Sequence, residues 1–318
     1  MKLYILIILF LTSVFAEEVV LKIATVTPEG SIWTKKLRDM DRDIKRRTKG
    51  RVRLKIYADS RKGNESQVAQ KILKYKVDGA LFLQSGMEEL VPQTSILKLP
   101  YFYKNYPHWQ SAQQKLKKGF EADFNKKQIE ILGWLDSGFT YAFTNKKVQS
   151  LQNFQRLQNW LYTEEPLIKT CFARLQLQGK EIKVKEVLQS LQNKDINSVY
   201  ASPYLLMALG WHEHVNYCID LPINNTVGGF VMHEKAYRSI PTKYRKKVAR
   251  IISKHMKVLS TSIHKENAAA KELLQNKYNV KFIKPDVNWV KTCQSIGQKI
   301  ANENVGKMYT SQQLQTVK

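Results

Sequence analysis

Residues 19–83 read VVLKIATVTPEGSIWTKKLRDMDRDIKRRTKGRVRLKIYADSRKGNESQVAQKILKYKVDGALFL, and this stretch decides the fold. Val19 to Ala24 alternates apolar side chains at the spacing of a strand. From Ile32 to Thr48 the period becomes helical, with Ile32, Trp33, Leu37, Met40 and Ile44 on one side. Ser31 stands before it as an N-cap, and Gly50 stops it. Val52, Leu54 and Ile56 alternate as a second strand. Val68 to Tyr75 is helical again, and Gly79 to Leu83 is a short buried strand. A β-α-β-α-β order predicts a parallel sheet covered by helices on both faces.

The second half repeats the style. Trp160 to Tyr162 is a short strand, Pro166 to Leu175 a helix, Ile182 to Val184 an extended piece, and Glu186 to Gln192 a helix. Ser198 to Ala201 is a strand that leads into a helix from Pro203. Lys243 to Lys277 is helical throughout, near 50 Å at 1.5 Å per residue, long enough to span two lobes. A mature chain of about 300 residues suggests two lobes. No internal repeat, low-complexity tract or flexible linker separates them.

The first residues set the compartment. Lys2, an apolar run from Leu3 to Leu11, and Val14-Phe15-Ala16 before Glu17 and Glu18 form the pattern of a cleavable secretory signal peptide covering residues 1–16. The apolar run is shorter than the roughly 20 residues that span a bilayer. No cysteine follows it to carry a lipid. Removing Lys2 takes the formal charge from +25 to +24, a large excess. Nucleic acid is the obvious partner for such a chain, but the charges are spread along its length, with only short clusters such as Lys45–Arg47 and 244–247, and no nucleic-acid motif accompanies them. A solvated lysine-rich surface is the simpler reading, and a weak attraction to anionic membrane the remaining one. An oxidising compartment permits one disulfide among Cys171, Cys218 and Cys293; Cys171–Cys218 is one candidate, and three buried thiols the alternative.

Catalytic chemistry finds no purchase. There is no G-x-S-x-G elbow, phosphate-cradling loop or H-E-x-x-H. His212 and His214 sit at a spacing that points them apart on a helix, so no metal site is expected, and no cofactor. Asp136 before Gly138 reads as a turn residue, and Gly228-Gly229 as a strand entry or hinge.

The run KIATVTPEGSIWTKKL from Lys22, then TKGRVRLKIYADS, LKLPYFY, GWLDSGFTYAFTNKKVQSLQNFQRLQNWLY, VYASPYLLMALGW and LPINNTVGGFVM, together resemble the extracytoplasmic solute-binding proteins of TRAP transporters, the DctP-type family. The resemblance implies a two-lobed periplasmic binding protein fold (type II-like), α/β with mostly parallel mixed sheets and a long helix across both lobes. It implies a periplasmic binder, without catalysis, that delivers a small molecule to a sodium-driven integral-membrane permease. It places lobe 1 at 17–142 plus about 228–258, and lobe 2 at 143–227 plus about 259–318.

Relatives commonly hold a substrate carboxylate with an arginine on the strand that aligns with 157–162. Trp160 stands there instead, and Arg156 is four residues too early to inherit the role. Glu164-Glu165-Pro166 matches a branch with tryptophan at this place. The ligand expected is therefore more apolar than a simple carboxylate. By family position the cleft residues are Thr25, Thr27 and Trp33 after the first strand, Tyr101 and Phe102, Phe139 and Thr140, Trp160 and Tyr162, and Tyr200, Ser202 and Trp211. Glu164 is expected to cap the helix that follows. The alternative function is a stand-alone periplasmic carrier of an apolar or lipid-like ligand with a different membrane partner.

Overall fold

The computed structural model describes residues 18–161 and 165–318. The expected signal segment, Tyr162 and Glu164 lie outside the described residues. The opening run forms in the order read: strand β1 (Val19–Ala24), helix Ile32–Arg47, strand β2 (Val52–Tyr57), helix Glu65–Leu73 and strand β3 (Gly79–Phe82). β1 lies between the other two and runs parallel to both, with Ile23 opposite Ile56 and Gly79. The Ser31 hydroxyl accepts from Thr34 N as expected, and Leu37, Met40 and Ile44 are buried. The second helix begins three residues earlier than the periodicity predicts. Asn64 and Gln67 form a reciprocal capping box that starts it at Glu65.

Two strands complete this sheet that the sequence reading did not find. β4 (Ile129–Phe139) and β10 (Asn225–His233) extend it to the order β2-β1-β3-β10-β4, with β10 antiparallel to both neighbours. Gly228 and Gly229 therefore sit inside a strand paired on both edges, and do not open one. A Cβ on Gly228 would stand 2.3 Å from the Phe82 carbonyl oxygen, so only a bare backbone fits against β3.

The second sheet holds β5 (Tyr141–Thr144), β6 (Asn159–Leu161), β7 (Gly179–Glu181), β8 (Ser198–Ala201), β9 (Tyr217–Ile219) and β11 (Lys281–Ile283), in the order β11-β9-β5-β8-β6-β7. Only β5 runs against the rest. Both sheets are thus mostly parallel with one reversed strand. The extended piece expected at Ile182–Val184 lies three residues earlier, where β7 pairs with β6, and Val184–Glu186 is a turn of 3₁₀ helix.

A single residue, Thr140, separates β4 from β5, so the chain steps directly from one sheet to the other. It returns between β9 and β10. The two crossings are tied: Thr140 N donates to Asn224 O at 2.9 Å, and Ile223 N donates to Thr140 O at 2.9 Å. The third connection is the helix Thr242–Asn276, 35 residues and about 52 Å long. Val248 to Ile263 pack on the first sheet, while Leu274 is buried in the core of the second. The last helix, Ser311–Val317, returns to the first sheet's side, where Val317 O meets His108 Nε2 on the helix Tyr106–Lys126.

Gly228→Ala should lower stability by about 1–3 kcal/mol, because the backbone of β3 cannot yield to the added methyl. A urea midpoint unchanged from the parent would contradict this packing.

Candidate functional site

Where the carboxyl ends of strands from both sheets converge, the chain forms a cleft of about 430 Å³, a size suited to a small molecule. The first sheet's side contributes Thr27 and Trp33 beyond β1, Leu83 beyond β3, and Ser137 at the end of β4. The second contributes Ser202, Tyr204 and Leu205 beyond β8. Thr140 and Ile263 lie where the connections pass. Among the described lining residues none is Lys, Arg, His, Asp or Glu. A larger hollow of about 470 Å³ lies between β4, the helix Tyr106–Lys126 and the long helix. The second sheet contributes nothing to it, so it cannot join two lobes.

The cleft is apolar with a few hydroxyls. Leu205 is 43% exposed, an unusual setting for leucine in the first turn of a helix. Ser202 caps that helix by accepting from Leu205 N at 3.3 Å, which leaves its own O–H to donate. Thr140 donates to Asn224. The Ser137 hydroxyl is buried without a partner. Asn267, on the long helix, joins the two walls: its Nδ2 donates to Ser137 O at 3.1 Å, and its Oδ1 accepts from Tyr204 N at 3.0 Å.

Next to Ser137 along β4 lies the carboxylate of Asp136, which lines the larger hollow. Its Oδ1 accepts from Gly138 N and from Asn225 Nδ2, each at 3.0 Å. Its Oδ2 meets Tyr106 Oη and His264 Nε2. Burial and the adjacent carboxylate hold the Tyr106 hydroxyl well above its usual pKa, so it remains a donor. Asp136 thus fixes the turn into Gly138, where φ is +84° and a Cβ would stand 2.9 Å from Asn267 Nδ2.

The expected site residues divide. Trp33, Thr140 and Ser202 line the cleft, as does Thr27. Thr25 is buried just below, its hydroxyl 3.1 Å from that of Thr27. Phe139 lines an adjoining hollow of about 190 Å³ with Tyr106, Tyr141 and His264. The other aromatics are core. Trp160 is 3% exposed, its indole N–H donates to Ile182 O at 2.8 Å, and its ring stands edge-on to Trp211 at 5.4 Å. It packs in the second sheet because a short, paired strand buries its side chains, and its one donor is already used. Trp211 shares that core, and Tyr200 lies between Trp160 and Phe172. Tyr101 and Phe102 are buried in the main core. The reading missed Leu83, Tyr204 and Leu205; the last two carried one signal, since PYLLMALGW is too apolar for a short surface helix.

Glu165, not Glu164, occupies the N-cap position of the helix Pro166–Arg174, and its side chain makes no cap hydrogen bond. It reaches Lys98 at 3.5 Å, a buried ammonium also paired with Glu88 at 2.9 Å. Burial raises the Glu88 carboxyl against the lowering effect of Lys98. The Cys171–Cys218 bridge does not form. All three thiols are free and buried, Cys171 and Cys218 fall in different cores, and Cys293 packs beside Tyr101. Burial pushes the Cys293 thiol up to about 12, which leaves it protonated and a poor nucleophile. The ring of His212 packs edge-on against Tyr278.

The sequence profile of bacterial extracellular solute-binding protein family 7 (DctP) matches residues 23–305. Among proteins of curated function, none matches. The fold is similar to that of a TRAP periplasmic solute-binding protein from Rhodobacter sphaeroides in an open, ligand-free form, with a TM-score of 0.81, 16% identity, and coverage of 94% of this chain and 97% of the other. DctP7 of Bordetella pertussis, a solute receptor that binds pyroglutamic acid, matches with a TM-score of 0.80 and 15% identity over 94% and 97%. A TRAP solute-binding protein from Desulfovibrio salexigens with bound orotic acid matches at 0.76 and 15% over 94% and 96%.

Trp160→Ala should cost about 3–5 kcal/mol of stability, as for a buried core aromatic, whereas Leu205→Ser should stay within about 0.5 kcal/mol. Chemical denaturation of both variants checks this, and a mild effect at Trp160 would return it to the cleft.

Proposed function

The chain belongs to bacterial extracellular solute-binding protein family 7, and we propose that it captures an uncharged or weakly polar molecule in the cleft and presents it to a TRAP-type membrane permease. The family is one of solute-binding receptors, and the solved neighbours hold small ligands. A carrier that works without a permease draws no support from this membership. We further propose that the protein acts in the periplasm after loss of residues 1–16, and performs no chemistry.

The observation that carries the ligand class is the lining itself. A buried carboxylate needs a cation or several donors to offset its lost hydration. The cleft offers hydroxyls from Thr140 and Ser202 and apolar surface from Trp33, Leu83, Leu205 and Ile263. A molecule with a large apolar face and one or two hydrogen-bonding groups fits that chemistry. The departure at Trp160 agrees with it by a different route from the one expected: the tryptophan fills the core behind the cleft, so that strand brings no charge forward.

The lobes of this reading change at Thr140 and again in the segment 220–224, with the long helix as the third connection. Ligand contacts to Trp33 on one side and Leu205 on the other would favour a closed arrangement over an open one.

Mass spectrometry of ligand retained by gently purified protein should recover an uncharged or largely apolar molecule. Recovery of a dicarboxylate would refute the proposed class. Binding of the recovered molecule should change tryptophan fluorescence, and Trp33→Phe should remove most of that change, since Trp109, Trp160, Trp211 and Trp289 are buried elsewhere and Trp134 faces the separate hollow beside β4. Leu205→Asp should weaken binding at least a hundredfold by setting a charge in an apolar wall.

A further inference from the structure

The excess positive charge has a local address. From Thr242 to Lys265 the long helix contains no Asp or Glu. Within it Lys243, Lys247, Arg250, Lys254 and Lys257 are all exposed. Their spacing of four, three, four and three residues sets them within an arc of about 80° on one face, about 21 Å long. The opposite face is the buried one, with Val248, Ile252, Met256, Leu259 and Ile263 against the first sheet. The stripe therefore points straight out of the molecule.

Its charges are also uncompensated. Among the described residues none of the five is paired with a carboxylate. The helix packed beside it, Ile32–Arg47, is different: Asp39 pairs with Arg42, Asp43 pairs with Arg46 and Arg47, and Asp43 also meets His255 at 3.4 Å. Glu121, near Lys257 across the polar hollow, lies within 3.9 Å of Lys117.

We propose that this stripe is a docking surface for a layer of anionic phospholipid headgroups, and that it holds the binder against the membrane with the outer face of the long helix down. Four of the five charges are lysines, and the aromatic among them, Tyr244, is half-buried beneath Lys243 and Lys247. Lysine is depleted at protein–protein interfaces, where aromatics, Met and Arg are enriched. A straight row of flexible ammonium groups on a convex helix suits a flat charged plane, where each Lys or Arg near the surface strengthens binding about fivefold. The cleft-lining side chain of this helix, Ile263, lies on the buried face, so docking leaves the cleft clear. The proposal stands apart from the identity of the ligand.

The test is sedimentation of the protein lacking residues 1–16 with vesicles at about 0.15 M salt. One set contains phosphatidylglycerol and phosphatidylcholine, the other phosphatidylcholine alone. Wild type should bind only the anionic set. Neutralising Lys247, Arg250, Lys254 and Lys257 to Gln should weaken binding at least a hundredfold, without lowering the melting temperature. Neutralising Lys183, Lys185, Lys194 and Lys281, an equal loss of net charge in the second lobe, should cost less than fivefold. Equal losses in the two variants would show diffuse net charge at work and overturn the proposal. So would failure of wild type to bind anionic vesicles, or stripe-dependent binding to a DNA duplex without vesicle binding.

Discussion

The arrangement rests on one buried carboxylate. Asp136 stands at the end of β4, one turn before the chain leaves the first sheet, and it cannot be left without donors there. It collects them from every connection between the sheets: Gly138 N on the outgoing strand, Asn225 at the start of the returning one, and His264 on the long helix. Tyr106 adds a fourth from the neighbouring helix. One group thus ties all three connections at a single point. The cleft begins at the next residues, Ser137 and Gly138, where Asn267 joins Ser137 to Tyr204.

The distribution of charge follows from the same economy. A chain with a formal +25 places no Lys, Arg, His, Asp or Glu among the described residues of its cleft. Charges that enter the interior do so in satisfied groups, as Lys98 does between Glu88 and Glu165. The rest lie on the outside, some neutralised along the helix Ile32–Arg47 and others left open along the long helix. An uncharged cleft beneath a basic exterior separates ligand capture, which depends on shape and a few hydroxyls, from any attraction to an acidic surface, which depends on salt.

Much of the fold was legible because it is local. In residues 19–83 each strand pairs with another strand of the same stretch, and the period switches visibly between two and 3.6. The long helix showed equally well. β4 and β10 escaped because their partners are distant in sequence, and because a central strand such as NTVGGFVMH shows no alternation when both faces are covered. The cleft was legible only in part. Trp33, Thr140 and Ser202 follow strand ends, where ligands gather in open sheets. Trp160, Trp211, Tyr101 and Phe102 were expected there by family position but turn inward, and nothing in an isolated aromatic tells a core position from a pocket. Leu205 was overlooked for the converse reason: the apolar run PYLLMALGW marks the helix, but which of its leucines stays exposed is a property of the fold.

The central claim is that the two sheets carry opposing walls that close on a ligand about the crossings at Thr140 and 220–224. Small-angle X-ray scattering of the protein with and without its recovered ligand tests this most directly. The account predicts a smaller radius of gyration on binding, and a loss of that contraction in Leu205→Asp. An unchanged radius with saturated ligand would contradict closure and leave a rigid pocket in its place.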